Sequence, residues 1–167
     1  MESYSFTGNA VSVLLIEDDS MHASLIEMVL NEAGLSVQIA STPQEAMNSL
    51  EHMIPDVILA AWDWDGLDGR TLALQIKRRF SMAAQVPLLL MTDRVVPEKT
   101  RLELSAQGIH WILEKPLVVT SLPKLVGRTV SECRRTRMEG NGFRPRPLGQ
   151  VVNFGQTASG AFQAVCV

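Results

Sequence analysis

Five short apolar runs, separated by segments with helical periodicity, lie between residues 11 and 114. Most of these runs are continuously apolar and rich in Val, Ile and Leu, with few alternating polar positions. Continuously apolar strands are typical of a parallel sheet that helices cover on both faces. The predicted strands are VSVLLIE (11–17), LSVQIA (35–40), DVILAAW (56–62), VPLLLMT (86–92) and IHWILE (109–114).

Helix start and stop signals occupy the segments between these runs. Ser20 can cap a first helix, which ends at Gly34 because glycine suits a left-handed C-terminal position. The sequence TPQE (42–45) combines a capping box with proline at the first helical position, and it begins a second helix. Three further helices are predicted over residues 67–80, 97–107 and 121 to about 135. The third helix ends in KRR (77–79), whose positive charges interact favourably with the negative end of the helix dipole.

Five alternating strand and helix pairs predict an α/β fold: a doubly wound, five-stranded parallel sheet with five helices and right-handed crossovers. We expect a flexible lead-in over residues 1–10, one domain over 11–135, and a linker with an irregular C-terminal extension over 136–167. In such sheets, chemistry lies at the carboxyl ends of the strands. The residues at those ends are therefore the candidates for a site.

Composition and charge narrow the function classes. Hydrophobic residues make up 46% of the chain, and the net charge of -3 gives no general attraction to nucleic acid. Cys133 and Cys166 lack any CxxC or Cys/His metal spacing, which favours two reduced thiols in a cytosolic protein. No secretory signal is recognisable at the start, and the apolar runs are too short to span a membrane. A cytoplasmic protein with no membrane span is expected.

Four segments, in order, resemble the signature segments of the bacterial response-regulator receiver family. They are VLLIEDD, PDVILAAWDWDGLDG, LLLMT and ILEKP, and the resemblance covers roughly residues 11–130. The resemblance implies the flavodoxin-like receiver fold. It also implies a cytoplasmic signalling protein of a two-component or phosphorelay pathway, and not an enzyme.

By this resemblance, each strand end has an implied role. Glu17 and Asp18 stand at the acidic pair that binds Mg²⁺ in the family, and the backbone carbonyl of Asp63 stands at a further metal ligand. Thr92 stands at the switch hydroxyl, and Lys115 at the phosphate-binding lysine. No other cofactor is implied.

Ala61 stands where the family has the aspartate that becomes an acyl phosphate. A methyl group offers no oxygen, so no catalytic residue is predicted, and the chain as written is not phosphorylatable at position 61. Mg²⁺ binding is expected to be weak because a third carboxylate is missing. Asp63 lies two residues on and is expected to be misplaced for in-line attack.

Two explanations of Ala61 stay open. The chain is either a natural pseudo-receiver or the acceptor-knockout form of a receiver that accepts phosphate from a histidine kinase or phosphotransfer protein. The retained acids, hydroxyl and lysine favour the knockout. Three departures from the family favour the pseudo-receiver: Asp65 replaces a proline, Asp93 a small residue and Ile112 the switch aromatic. The sequence leaves both explanations open.

The expected partners are a histidine kinase, a phosphotransfer protein or a downstream effector. A homodimer could form through the fourth helix, fifth strand and fifth helix, or through the C-terminal extension. Nucleic acid is not expected as a partner. His22, His52 and His110 lie on different predicted elements and are expected to be surface or boundary residues. A nucleotide-binding α/β module is a weaker alternative, because EDDSMH after the first strand contains no glycine-rich loop.

Overall fold

Five parallel strands form one sheet in the computed structural model, which describes residues 10–64, 67–80, 85–107, 109 and 111–138. The strands of this sheet are, in chain order, β1 (Ser12–Ile16), β2 (Ser36–Ala40), β3 (Val57–Ala61), β6 (Leu88–Thr92) and β7 (Trp111–Glu114). Two shorter strands, β4 (Asp63–Trp64) and β5 (Leu67–Asp68), lie between β3 and β6 in the chain. The sheet has the order β2-β1-β3-β6-β7, and β4 and β5 pair antiparallel as a separate short ribbon. The five predicted strands are thereby confirmed.

Five helices cover the two faces of this sheet. They are α1 (Ser20–Glu32), α2 (Pro43–His52), α3 (Gly69–Arg79), α4 (Glu98–Ala106) and α5 (Leu122–Met138), with a 3₁₀ turn at Val119–Ser121 before the last. Buried side chains of α2, α3 and α4 pack together with Leu14 and Ile16 of β1. Buried side chains of α1 and α5 pack with Val13 and Leu15 of the same strand. The predicted doubly wound fold is therefore confirmed.

Local signals set where the helices begin and end. Asp19, not Ser20, caps α1: its Oδ1 accepts hydrogen bonds from the backbone N–H groups of Met21 and His22, at 2.9 and 3.0 Å. The prediction was wrong by one residue, because the carboxylate preceding Ser20 is itself a good cap and its charge suits a helix N-terminus. The bond from His22 is the main cause that lowers the pKa of Asp19.

The other two predicted signals are confirmed. Thr42 Oγ1 accepts from the N–H of Glu45 at 3.1 Å, and Glu45 Oε2 accepts in return from the N–H of Ser41 at 2.7 Å. Gly34 has a φ of +84°, the left-handed conformation that glycine adopts at little cost. α3 begins two residues later than predicted, and α5 continues to Met138.

Strand register places the candidate residues at one edge of the sheet. Ile16 of β1 is level with Ala60 of β3, so Glu17 and Ala61 follow at the same height. Ala61 is level with Met91 of β6, and Thr92 is level with Glu114 of β7. The carboxyl ends of β1, β3, β6 and β7 therefore converge on one region.

Asp56, at the opposite edge of the sheet, links β1 to α5. Its carboxylate accepts hydrogen bonds from Ser12 N at 3.0 Å and from Arg134 of α5 at 2.8 Å. Burial alone would raise the pKa of Asp56, but these bonds outweigh it and hold the pKa below its usual value. Arg134 of α5 thus has a structural partner within the domain.

Within the described ranges, no helix has both the length and the apolar character needed to cross a lipid bilayer. Residues 1–9 and 139–167 lie outside the described residues. The proposed lead-in, most of the proposed C-terminal extension and the domain boundaries therefore stay predictions.

Candidate functional site

Glu17, the first residue after β1, is the buried centre of the polar groups at this edge. Its side chain is only 2% exposed. Oε2 lies 2.7 Å from His22 Nδ1 and 3.6 Å from Lys115 Nζ. Oε1 accepts a hydrogen bond from the backbone N–H of Asp19 at 3.3 Å. Both carboxylate oxygens are therefore engaged by groups of the chain itself.

Lys115 and Thr92 meet across the ends of β7 and β6. The N–H of Lys115 donates to the carbonyl of Thr92 at 2.6 Å, and the Lys115–Pro116 peptide bond is cis. Thr92 is 1% exposed, and its Oγ1 accepts from the N–H of Arg94 at 3.1 Å. The predicted lysine thus reaches Glu17 with its side chain and Thr92 with its backbone.

Ala61 ends β3 and is 3% exposed. The next residue, Trp62, donates its N–H to Met91 O at 2.7 Å and accepts at its own carbonyl from Gly69 N at 2.6 Å. These bonds fix the backbone after Ala61 against both β6 and the start of α3. The position is thus rigidly built, although its side chain is a methyl group.

Asp18 and Asp63 are on the exposed side of the same edge. Asp63 Oδ1 lies 2.8 Å from Arg94, which is itself 71% exposed. Burial is the largest cause acting on the pKa of Asp63; Arg94 opposes it and Asp93 adds to it, so that the pKa is raised above its usual value. Both acids are therefore exposed at this edge, and Asp63 is held by an arginine.

The side chains found here do not fit a divalent cation as they stand. In the part of the chain that the structure describes, no three His, Cys, Asp or Glu side chains are grouped to hold a metal ion. Mg²⁺ needs oxygen ligands at near-ideal octahedral positions, and the oxygens of Glu17 already accept other bonds. The implied roles of Glu17, Asp18 and the Asp63 carbonyl stay predictions.

Ile112 and Trp111 lie on β7, beside the face that includes α4. Ile112 is 4% exposed, whereas Trp111 is partly buried. Arg101 of α4 pairs with Glu114 at 2.5 Å and donates from Nε to Val96 O at 2.9 Å, which ties α4 to the end of β7. Asp65, which stands where the family has a proline, lies outside the described residues.

Two residues at this edge were not predicted to take part. His22 is half-buried, as expected of a boundary residue, and it also binds Glu17; Arg94 binds Asp63. The contact between His22 and Glu17 could have been anticipated only from the geometry of the turn between β1 and α1. Arg94 follows Thr92-Asp93 in the sequence, and its charge beside an acidic group was the available signal.

Comparison with known proteins gives one family. The model of the response regulator receiver domain matches residues 13–127. The transcriptional regulator NtrC of Klebsiella pneumoniae is 26% identical over 151 residues, which are 90% of this chain and 31% of that protein. Transcription factor SKN7 of Saccharomyces cerevisiae is 30% identical over 120 residues, 72% of this chain and 19% of that protein. The chain thus spans about a third or less of these relatives' length.

Solved receiver domains have the same architecture. A Francisella response regulator receiver domain is 25% identical with a TM-score of 0.63, covering 72% of this chain and 97% of that one. The receiver domain of a sensor histidine kinase from Pseudomonas aeruginosa, described with magnesium coordinated in its active site cleft, is also 25% identical. Its TM-score is 0.63, and the match covers 73% of this chain and 98% of that one. This chain therefore belongs to the response regulator receiver domain family, the signalling modules of two-component pathways.

Proposed function

We propose that this chain is a receiver that acts through protein–protein contact and forms no acyl phosphate at position 61. Ala61 carries the proposal: it ends β3 level with Met91, at the sheet edge that holds Glu17, Thr92 and Lys115. Acyl phosphate formation needs a carboxylate oxygen as the nucleophile. A methyl group supplies none.

The neighbouring carboxylates are poor replacements for an acceptor. Asp63 binds Arg94 at 2.8 Å, and it begins the β4–β5 ribbon, two residues beyond the end of β3. Asp19 uses Oδ1 to cap α1. Attack on phosphorus requires an oxygen that is correctly placed and available. Both side chains are instead committed to structural bonds.

The polar groups that the family uses for a phosphoryl group have internal partners in this chain. Lys115 Nζ lies 3.6 Å from Glu17, and Thr92 Oγ1 accepts from Arg94 N. Thr92 is buried, where a polar group without a partner would be costly, and its bond to Arg94 avoids that cost without any phosphate. This supports a receiver whose polar groups at this edge have partners without a phosphoryl group.

A contact function also agrees with the exposed apolar side chains on α1. Met21, Leu25 and Met28 are 83%, 46% and 57% exposed, and their spacing places them along one face of the helix. Exposed apolar side chains on one face are typical of surfaces that contact other proteins. The proposed partners are a histidine kinase, a phosphotransfer protein or an effector. A homodimer through α4, β7 and α5, or through the C-terminal extension, stays a prediction.

The first test is phosphorylation by a small molecule. With acetyl phosphate and saturating Mg²⁺, we expect the chain to show no added phosphoryl group in intact-protein mass spectrometry. Ala61→Asp is expected to gain one base-labile phosphoryl group, and Ala61→Asn, which has a similar size but no nucleophilic oxygen, is expected to gain none. A phosphorylated native chain would show that another acceptor exists.

The second test measures partner binding. Purified kinase and phosphotransfer domains from the same organism are titrated with the chain by calorimetry, with and without acetyl phosphate. Because no acyl phosphate forms, we expect the dissociation constant of any partner to change less than about twofold, a difference of under ~0.5 kcal/mol. Tightening of about tenfold by the phosphodonor would contradict a phosphate-independent mode.

The second candidate function is the acceptor-knockout form of a phosphorylatable receiver. It is favoured by the retained contact of Lys115 with both Glu17 and Thr92. If it is correct, Ala61→Asp should be phosphorylated and should also change its affinity for a partner. If the chain is a pseudo-receiver, phosphorylation of that variant should leave partner binding unaltered.

A further inference from the structure

Glu17, the first acidic residue of the site, has an internal partner that no receiver chemistry requires. We infer that His22 occupies the carboxylate of Glu17 in place of a divalent cation, so that this site resists Mg²⁺. This inference rests on the proposed function, since it explains how a receiver without phosphate chemistry keeps a buried acid. It concerns cation binding and not the acceptor.

The contact between the two side chains is short and sheltered. His22 Nδ1 lies 2.7 Å from Glu17 Oε2; the exposed fractions of the side chains are 21% for His22 and 2% for Glu17. Burial lowers the local dielectric and so increases the strength of a hydrogen bond. The imidazole is therefore a firmly held partner of this carboxylate.

The backbone around His22 places the ring in advance. Asp19 caps α1 by accepting from the N–H of His22 at 3.0 Å, and the N–H of Asp19 donates in turn to Glu17 Oε1 at 3.3 Å. The same short segment thus fixes the carboxylate, the helix start and the ring. Little further ordering is needed to form the contact.

A cation would have to displace these partners. Mg²⁺ binds carboxylate oxygens at about 2.0–2.1 Å in near-ideal octahedral positions, so the His22 ring, 2.7 Å from Oε2, competes with it for that oxygen. Lys115 Nζ, at 3.6 Å from the same oxygen, adds a positive charge that repels a cation. Asp18 is exposed, and the described residues offer no group of three His, Cys, Asp or Glu ligands. Substitution of His22 should therefore make Glu17 more available to a cation.

Cation affinity of matched variants tests the inference. Mg²⁺ binding is measured by calorimetry, and Mn²⁺ binding by quenching of tryptophan fluorescence, in the full chain without phosphodonor. Ala61→Asp supplies the missing third carboxylate, and we expect Ala61→Asp/His22→Ala to bind each cation at least about tenfold more tightly than Ala61→Asp alone. His22→Met, which keeps the length of the side chain but removes the donor, should give the same gain.

His52→Ala, placed in the Ala61→Asp background, is the matched control. His52 lies on α2, where its ring bonds to Asn48 O at 2.8 Å, and its loss should leave cation affinity unchanged. Equal affinities with and without His22 would overturn the inference, whereas a phosphorylated native chain would overturn only the proposed function. Imidazole nitrogen resonances of the native chain give a test without mutation: millimolar Mg²⁺ should leave the His22 signals unmoved, and their displacement would refute the inference.

Discussion

Replacing Gly69 with alanine should destabilise the folded chain by about 3 kcal/mol, because an added methyl group would overlap backbone atoms that cannot move aside. Gly69 begins α3, directly against the end of β3. A Cβ built there would lie 2.7 Å from both Cα and O of Trp62, and it would contact the carbonyl of Ala61 even more closely. The Gly69 N–H bond to Trp62 O, at 2.6 Å, holds the two segments at this distance. Urea unfolding followed by circular dichroism measures the loss.

Gly34→Ala is the matched control for this prediction. Gly34 has a φ of +84° but nothing within 4 Å of an added Cβ, so its substitution introduces backbone strain without a clash. Such strain costs about 1–2 kcal/mol. If Gly69→Ala proves no more destabilising than Gly34→Ala, the close approach of α3 to β3 is not as the structure has it.

The position of Gly69 also matters for the site. The clash would push α3 away from the residues that follow Ala61, and so would disturb the edge at which Glu17 and Lys115 meet. In the Ala61→Asp background, the Gly69→Ala change should therefore reduce phosphorylation by acetyl phosphate as well as stability. This links the packing of a single glycine to the geometry of the edge at which Glu17 and Lys115 meet.

The sheet and its order of helices could be predicted from the sequence because their signals are local. Continuous apolar runs identify strands buried on both faces, and a proline or glycine at a helix end is a strong marker. The carboxyl-end rule then brought Glu17, Thr92 and Lys115 to one edge, and the structure places them there. Their chemical roles are a matter of resemblance and await the tests above.

Side-chain partners that depend on tertiary geometry could not be predicted. Asp19 and Ser20 are both good caps, and the sequence alone does not decide which one is used. In the folded turn between β1 and α1, His22 lies against Glu17. Periodicity says which face of a helix is buried, but it does not say which polar group meets which.

Lys77 has a partner that the sequence did not predict. It lies in the last turn of α3, as the KRR segment predicts, where its charge favours the helix dipole. Its Nζ donates to Val86 O at 3.0 Å, and its side chain is partly buried. Burial lowers the pKa of Lys77 from 10.5 to about 8, although Cys133 acts in the opposite direction. The partly buried position of Lys77 thus lowers its affinity for a proton.

The stability of the chain should therefore rise with pH between about 8 and 10.5. Below this window Lys77 is protonated in both states, and the folded state bears the full cost of a partly buried charge. Within the window the folded state releases the proton first, so the unfolded state binds more protons and the free energy of unfolding increases. The lowered pKa corresponds to about 2–3 kcal/mol once the exposed part of the side chain is allowed for.

Lys77→Met should remove both the cost and its pH dependence. At pH 7 we expect this variant to be more stable than the native chain by about 1–2 kcal/mol, a gain reduced by loss of the bond to Val86 O. Lys99→Met, at an exposed position on α4, should shift stability by less than about 0.5 kcal/mol and should retain the rise with pH. Urea unfolding at pH 7, 8, 9 and 10 distinguishes the two variants. An unchanged rise in Lys77→Met would mean that another group titrates in this window, because a methionine has no proton to release.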